Sequence, residues 1–146
     1  MIDRIGHINI RTPLLEETLA FYERLMDLRR GDALTMTDQA NNAWLFDDSG
    51  RAVVHVNKCP ADEEVPAAGA PNRLNHVAFD IRDLPAMERR LEEMRLSFRK
   101  YPIETCPGLT LLVTQDPNGI TLELAHGTDV VRQRVHPNTK EQATWQ

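Results

Sequence analysis

The stretch Gly6-His7-Ile8-Asn9-Ile10 returns 69 residues later as Asn75-His76-Val77-Ala78-Phe79, a histidine leading a strand-like run in both. A second correspondence lies further along each copy: Val54-His55-Val56 is answered by Leu122-Glu123-Leu124, 68 residues away. Near-equal offsets at two places mark an internal duplication. A duplicated unit sets its halves about a pseudo-twofold axis, so that equivalent positions can converge. His7, His55, His76 and Glu123, all able to bind a divalent cation, are therefore expected to share one cavity.

Working outward from the first histidine, Ile5, Ile8 and Ile10 surround His7 in a strand that stops at Arg11-Thr12-Pro13. Thr12 is expected to cap a helix with Pro13 in its first turn and Glu16 and Glu17 at the positive end of its dipole. Leu15, Leu19, Tyr22, Leu25 and Met26 recur at helical spacing, a face to lay on a sheet. Three short strands follow, at Arg29 to Thr37, Asn42 to Asp47 and Arg51 to Asn57, with Asp47-Asp48-Ser49-Gly50 as a turn. The second half repeats the order. It has a strand from Leu74 to Ile81, a helix capped by Asp83 with Leu84, Met87, Leu91 and Met94 on one face, and strands near Phe98, at Leu109 to Thr114 and at Ile120 to Ala125. Asp116-Pro117-Asn118-Gly119 is the turn before the last strand.

The fold class expected from this order is α+β, two tandem βαβββ modules whose curled mixed sheets surround a metal-centred cavity with the helices outside. Module 1 covers about residues 3–57 and module 2 about 73–126. A Pro-, Ala- and Gly-rich linker occupies 58–72, and a polar tail, disordered or packed on a neighbouring subunit, runs through 127–146. By strand alternation His7 faces the cavity, Asn9 and Arg11 share its side, and Ile8 turns away. His126 falls on the other side from Glu123 and reads as a rim residue.

The 146 residues suit one domain. With 41% hydrophobic and 27% charged residues the balance is that of a soluble globular protein, and no apolar run approaches the roughly 20 residues that cross a bilayer. Absence of a secretory-type start gives the cytoplasm as the expected compartment. A net charge of −5 with scattered basic residues offers no footprint for nucleic acid. Cys59 and Cys106, without CxxC spacing, read as ordinary thiols. Trp44 and Phe46 suit either an apolar wall for an aromatic substrate or, more simply, core packing; Tyr22 reads as core. The run Glu88-Arg89-Arg90-Leu91-Glu92-Glu93 is a solvated helix face, and Trp145 is a candidate for packing on a partner chain.

Four motifs together carry a family resemblance: Gly-His-Ile-Asn-Ile at 6–10, Ala-Phe-Tyr-Glu-Arg-Leu at 20–25, Asn-His-Val-Ala-Phe at 75–79 and Asp-Pro-Asn-Gly-Ile-Thr-Leu-Glu-Leu at 116–124. Over about residues 3–126 the chain resembles the vicinal oxygen chelate superfamily, which includes glyoxalase I, extradiol dioxygenases, fosfomycin-resistance enzymes, methylmalonyl-CoA epimerase and bleomycin-resistance proteins. The resemblance implies a divalent metal (Zn, Ni, Co, Fe or Mn) held by His7, His55, His76 and Glu123. His7, His76 and Glu123 form a two-histidine, one-carboxylate set that leaves positions open for substrate. His55 stands where a glyoxalase-like protein carries a glutamate, as ligand, base or both.

Each named activity of the family has a part missing. The extradiol signature asks for a tyrosine where Val113 stands and a histidine in the region of Thr105 and Cys106. The fosfomycin type asks for a threonine where Asn9 stands. Arg11 agrees with glyoxalase I, in which an arginine four residues after the first histidine meets the glutathione carboxylate, but His55 does not. The expected activity is therefore that of a metal-dependent lyase or isomerase acting on a small oxygen-rich molecule, with Asn9, Arg11 and His55 as binding or catalytic groups. An extradiol dioxygenase and a metal-free drug-binding protein are the alternatives. A homodimer is the expected assembly.

Overall fold

In the computed structural model the chain is described at residues 2, 4–33, 35–60, 62–64, 67, 70 and 74–135. Part of the expected linker, Trp145 and the tail beyond 135 lie outside those residues. The elements run β1 (Ile8–Thr12), α1 (Leu15–Met26), β2 (Arg29–Gly31), β3 (Asn42–Phe46), β4 (Ala52–Lys58), β5 (His76–Ile81), α2 (Leu84–Glu93), β6 (Arg99–Pro102), β7 (Thr110–Gln115), β8 (Thr121–His126) and α3 (Asp129–Val135). The duplicated βαβββ order is plain. Each copy builds its own four-stranded mixed sheet, ordered β1-β4-β3-β2 and β5-β8-β7-β6, and neither sheet closes into a barrel. Two compact units result, residues 1–71 with 116–120, and residues 72–115 with 121–146.

In the first unit β1 pairs parallel with β4, while β4–β3 and β3–β2 are antiparallel. Period-two alternation sorts the side chains. Ile10, Leu45, Val54 and Val56 go to the helix side, where Leu19, Tyr22 and Leu25 of α1 complete a core with every one of these at most 4% exposed. The helix has no side-chain cap. Thr12, expected there, instead accepts a hydrogen bond from the Leu14 N–H at 2.9 Å and donates to Asn118 Oδ1. Pro13 and Leu14 delay the helix by two residues, to Leu15, and its start moves beyond the reach of Thr12.

A turn from far along the sequence belongs to this unit. Asp116, 5% exposed, accepts from Tyr22 Oη–H at 3.2 Å, from the N–H groups of Asn118 and Ile120 at 2.8 and 2.9 Å, and from Asn118 Nδ2 at 3.0 Å. Asn118 Nδ2 also donates to Thr18 Oγ1 at 3.0 Å. Burial, and then the Asp116 charge, push the Tyr22 phenol far above its ordinary value.

The strand expected from Arg29 to Thr37 ends at Gly31. Gln39 supplies the reason. Its amide accepts from the Ala33 N–H at 2.8 Å and donates to the carbonyls of Ala33 and Met36 at 3.1 and 2.6 Å, tying this segment into a loop that has left the ladder.

In the second unit β5 is parallel to β8, and β8–β7 and β7–β6 are antiparallel. Leu112, Leu122, Leu124 and Leu91 of α2 are fully buried. Asp83 caps α2 as expected, its carboxylate accepting the Ala86 N–H at 2.9 Å. Glu88 on the charged face meets Lys100 Nζ at 2.7 Å. The expected strand near Phe98 begins one residue later, at Arg99. Asp129–Val135 forms a short helix, α3, after Gly127. No helix among the described residues is long and apolar enough to cross a membrane.

Candidate metal and substrate site

In the first unit the face of the sheet turned away from α1 carries the chemistry. His55, on central strand β4 with Asn9 and Trp44 as its lateral neighbours, is 7% exposed. His7 immediately precedes β1 and is exposed. The two imidazole centroids are 6.0 Å apart, and Trp44 packs 5.7 Å from each, with Phe46 6.0 Å beyond. Core packing, the simpler expectation for Trp44 and Phe46, is thereby corrected. Both are half-buried on the histidine side, since their parity in β3 is opposite to that of Ala43 and Leu45. Trp44 Nε1 is the one buried side-chain nitrogen or oxygen without a hydrogen-bond partner among the described residues. Burial, with a smaller contribution from His7, holds the His55 imidazole below its ordinary value, so it is neutral at neutral pH.

Beside His55 lies a row of amides. Asn9 Nδ2 donates to Asn57 Oδ1, Asn57 Nδ2 donates to Asn42 Oδ1, and Asn42 Nδ2 donates to the Asp38 carbonyl at 2.6 Å. Asn57 Nδ2 is also 3.2 Å from His55 Nε2. The row borders a cavity of about 440 Å³ lined by Arg11, Met36, Asn42, Asn57, Lys58 and Cys59. Arg11 engages Glu63 through both Nε (2.8 Å to Oε1) and its terminal nitrogen. The hydrogen bond and charge of Glu63 raise the guanidinium still further, and Arg11 in turn lowers the Glu63 carboxyl. Asn57 was legible in principle, being two residues beyond His55 and so on the same face of one strand; its amide neighbours on β1 and β3 required the register.

The second unit holds the other two expected ligands. His76 opens β5 and Glu123 sits on β8, with Nε2 of the first 3.7 Å from Oε1 of the second. Asn75 Oδ1 lies 2.9 Å from His76 Nδ1. Glu123 is partly exposed rather than sealed in the core. His126 alternates with it, on the side of Leu122 and Leu124. Among the described residues no group of three or more His, Cys, Asp or Glu side chains is gathered to hold an ion. The donors stand as pairs, one in each unit.

Of the two pairs, His76 and Glu123 have donor atoms close enough to be compared with a cation's ligands. With Asn75 Oδ1 at Nδ1, the Nε2 of His76 is the ring nitrogen that faces a carboxylate oxygen. Two acceptors at that distance repel unless a cation or a proton lies between them. Two ligands bonded to one ion at about 2.0–2.2 Å stand about 3–3.5 Å apart, close to the separation found.

The glyoxalase/bleomycin resistance protein/dioxygenase superfamily profile matches residues 4–124. The chain belongs to that family, the vicinal oxygen chelate superfamily. Among characterised proteins it is similar to Glyoxylase I 4 of Arabidopsis thaliana, 26% identical over 129 residues that cover 84% of this chain and 70% of that one. Solved structures share the fold. A glyoxalase/dioxygenase from Nostoc punctiforme superposes with a TM-score of 0.69 at 15% identity, covering 86% of this chain and 91% of that one. A mutant of the fosfomycin resistance protein FosX from Listeria monocytogenes, complexed with Mn(II) and 1S,2S-dihydroxypropylphosphonic acid, gives 0.67 at 18% identity, covering 92% and 98%.

Proposed function

We propose that the protein is a divalent-metal-dependent enzyme, a glyoxalase-like lyase or isomerase acting on a small oxygen-rich substrate. The observation that carries this reading is the approach of His76 Nε2 to Glu123 Oε1 at 3.7 Å with Nδ1 already engaged by Asn75. In this reading His7, His76 and Glu123 are ligands, and His55 is either the fourth ligand or the base. A divalent ion held by these residues would supply Lewis acidity toward the oxygens of an oxygen-rich substrate.

The remaining roles fall to His55, Arg11 and Asn9. His55, neutral and water-shielded, is suited to take a proton at a ring nitrogen. Arg11, whose fork already grips one carboxylate, orients an anionic substrate group. Asn9 Nδ2 donates to a substrate oxygen once it leaves Asn57. The unpaired Trp44 N–H beside both histidines favours a ligand rich in acceptors, because such a donor left buried costs about 1–3 kcal/mol. The proposed protein is a cytoplasmic homodimer whose partner is a small molecule, with neither nucleic acid nor membrane involved.

Elemental analysis after incubation with Zn²⁺, Ni²⁺, Co²⁺, Fe²⁺ or Mn²⁺ tests the proposal. Near-stoichiometric metal in the wild type, lost in His7→Ala and Glu123→Ala, is the expected result. A wild type that stays metal-free overturns it in favour of a drug-binding protein. Hemithioacetal turnover without oxygen uptake on catechols separates the lyase or isomerase from the dioxygenase.

A further inference from the structure

The amide row beside His55 has a direction that chemistry fixes. A backbone carbonyl only accepts, so the Asn42 group 2.6 Å from the Asp38 oxygen must be its NH₂. Asn42 therefore turns its Oδ1 to Asn57, which must answer with NH₂, and Asn57 Oδ1 is left to accept from Asn9. One hydrogen of the Asn57 NH₂ serves Asn42. The other points to His55 Nε2 at 3.2 Å, and that nitrogen must then be an acceptor. A neutral imidazole with Nε2 as acceptor carries its proton on Nδ1.

His76 arrives at the same state from the opposite side of its ring. Asn75 offers a carbonyl oxygen to Nδ1 at 2.9 Å, which holds the proton there and leaves the Nε2 lone pair toward Glu123. An unconstrained imidazole in water favours the other tautomer, with its proton on Nε2. One asparagine per unit thus opposes the intrinsic preference of one histidine, by donating to Nε2 in the first case and by accepting from Nδ1 in the second.

We infer that Asn57 and Asn75 are positioning residues that hold His55 and His76 as their Nδ1–H tautomers, so that each ring keeps Nε2 ready for an electrophile. The purpose assigned to this state rests on the metal reading above, whereas the state itself does not. An Nε2 lone pair receives a cation without prior proton transfer, and a ring held by its partner loses little freedom on binding. For His55 the arriving electrophile takes over the place of one Asn57 hydrogen, and Asn57 keeps its bond to Asn42. The row Asp38–Asn42–Asn57 sets the orientation before any ligand is present.

The full-length chain with ¹⁵N-labelled histidine and no added metal is examined by long-range ¹H–¹⁵N correlation, at a pH above the imidazole range. Signals are assigned with His55→Gln and His76→Gln. In the wild type both rings are expected to show a protonated, pyrrole-type Nδ1 and a bare, pyridine-type Nε2. Asn57→Asp, which offers Nε2 only an acceptor, is expected to exchange the two signals of His55 and leave those of His76 in place. Asn75→Ala is expected to return His76 alone to the Nε2–H form. Zinc affinity of either variant is expected to fall about 10–100-fold. A wild-type His55 or His76 protonated at Nε2 overturns the inference. Wild-type rings in the expected tautomer on a chain that binds no metal end the metal reading and leave this one standing. Stoichiometric metal on a chain whose metal-free rings are Nε2–H does the reverse.

Discussion

Replacing Asp116 with alanine removes an acceptor that four donors share, and the structure sets the scale of the loss. Tyr22 Oη–H is the costliest orphan, because the residue is wholly buried and water does not reach it. An unsatisfied buried hydroxyl costs about 1–3 kcal/mol. The Asn118 and Ile120 N–H groups lie in a partly exposed turn, where water replaces much of what the carboxylate gave, so about 0.5–1 kcal/mol each is appropriate. The main-chain bonds of the turn, Gly119 N–H to Asp116 O at 2.9 Å and Asp116 N–H to Ile120 O at 3.0 Å, survive the change. The expected loss is about 2–5 kcal/mol, a large share of the usual stability of a domain. Asp116→Asn keeps Oδ1 for both backbone donors and turns an NH₂ to Tyr22, whose hydroxyl then accepts, while Asn118 Nδ2 loses its acceptor there and keeps Thr18 Oγ1, so about 1–2 kcal/mol is expected. Urea denaturation followed by far-UV circular dichroism reads both. A loss below about 1 kcal/mol for Asp116→Ala with an unchanged denaturant slope, or no difference between the two variants, refutes the reasoning.

Gly127→Ala should cost about 3–5 kcal/mol, since φ is +82° there and a Cβ would stand 2.0 Å from the Gly108 carbonyl oxygen. Gly50→Ala, at φ +80° with open space around it, should cost only about 1 kcal/mol; thermal denaturation of the pair checks the contrast. Because the Tyr22 phenol is raised in the folded state, its stabilising contribution is complete below the unfolded value of about 10 and drains away as pH climbs beyond it. Wild type should accordingly lose stability relative to Tyr22→Phe between about pH 9.5 and 11.5, as urea midpoints in that range will show. Leu122→Ala, at a position with no exposed surface, should cost about 2–5 kcal/mol in the same assay.

Much of the fold was legible because burial imposes a period. The alternation around His7 and His76, the spacing of Leu15, Leu19 and Tyr22, and the Asp116-Pro117-Asn118-Gly119 turn all follow from which side chains must leave water or which backbone angles a residue tolerates. Polar side chains that act at a distance left no such period. Gln39 closes a loop six residues back to Ala33 and shortens β2, and Thr12 gives up its capping role to meet Asn118, 106 residues away. At the candidate site the same division holds. The two offsets in the sequence picked out His7, His55, His76 and Glu123, and the structure sets them in two pairs. Asn57 stood two residues from His55 and Asn75 next to His76, but neither spacing singled out the contact with a ring nitrogen, since asparagine is common in strands and turns of no special function. Trp44 was legible as an aromatic residue, but its unpaired N–H emerges only from packing.

The ownership of residues 116–120 bears on how this protein can be dissected. A fragment ending at the linker would contain every strand and helix of the first sheet and would still lack the carboxylate that Tyr22 bonds and the amide that Thr12 and Thr18 share. A half made by truncation would need that turn supplied in trans, as a peptide or as the other half, before its hydroxyls were satisfied.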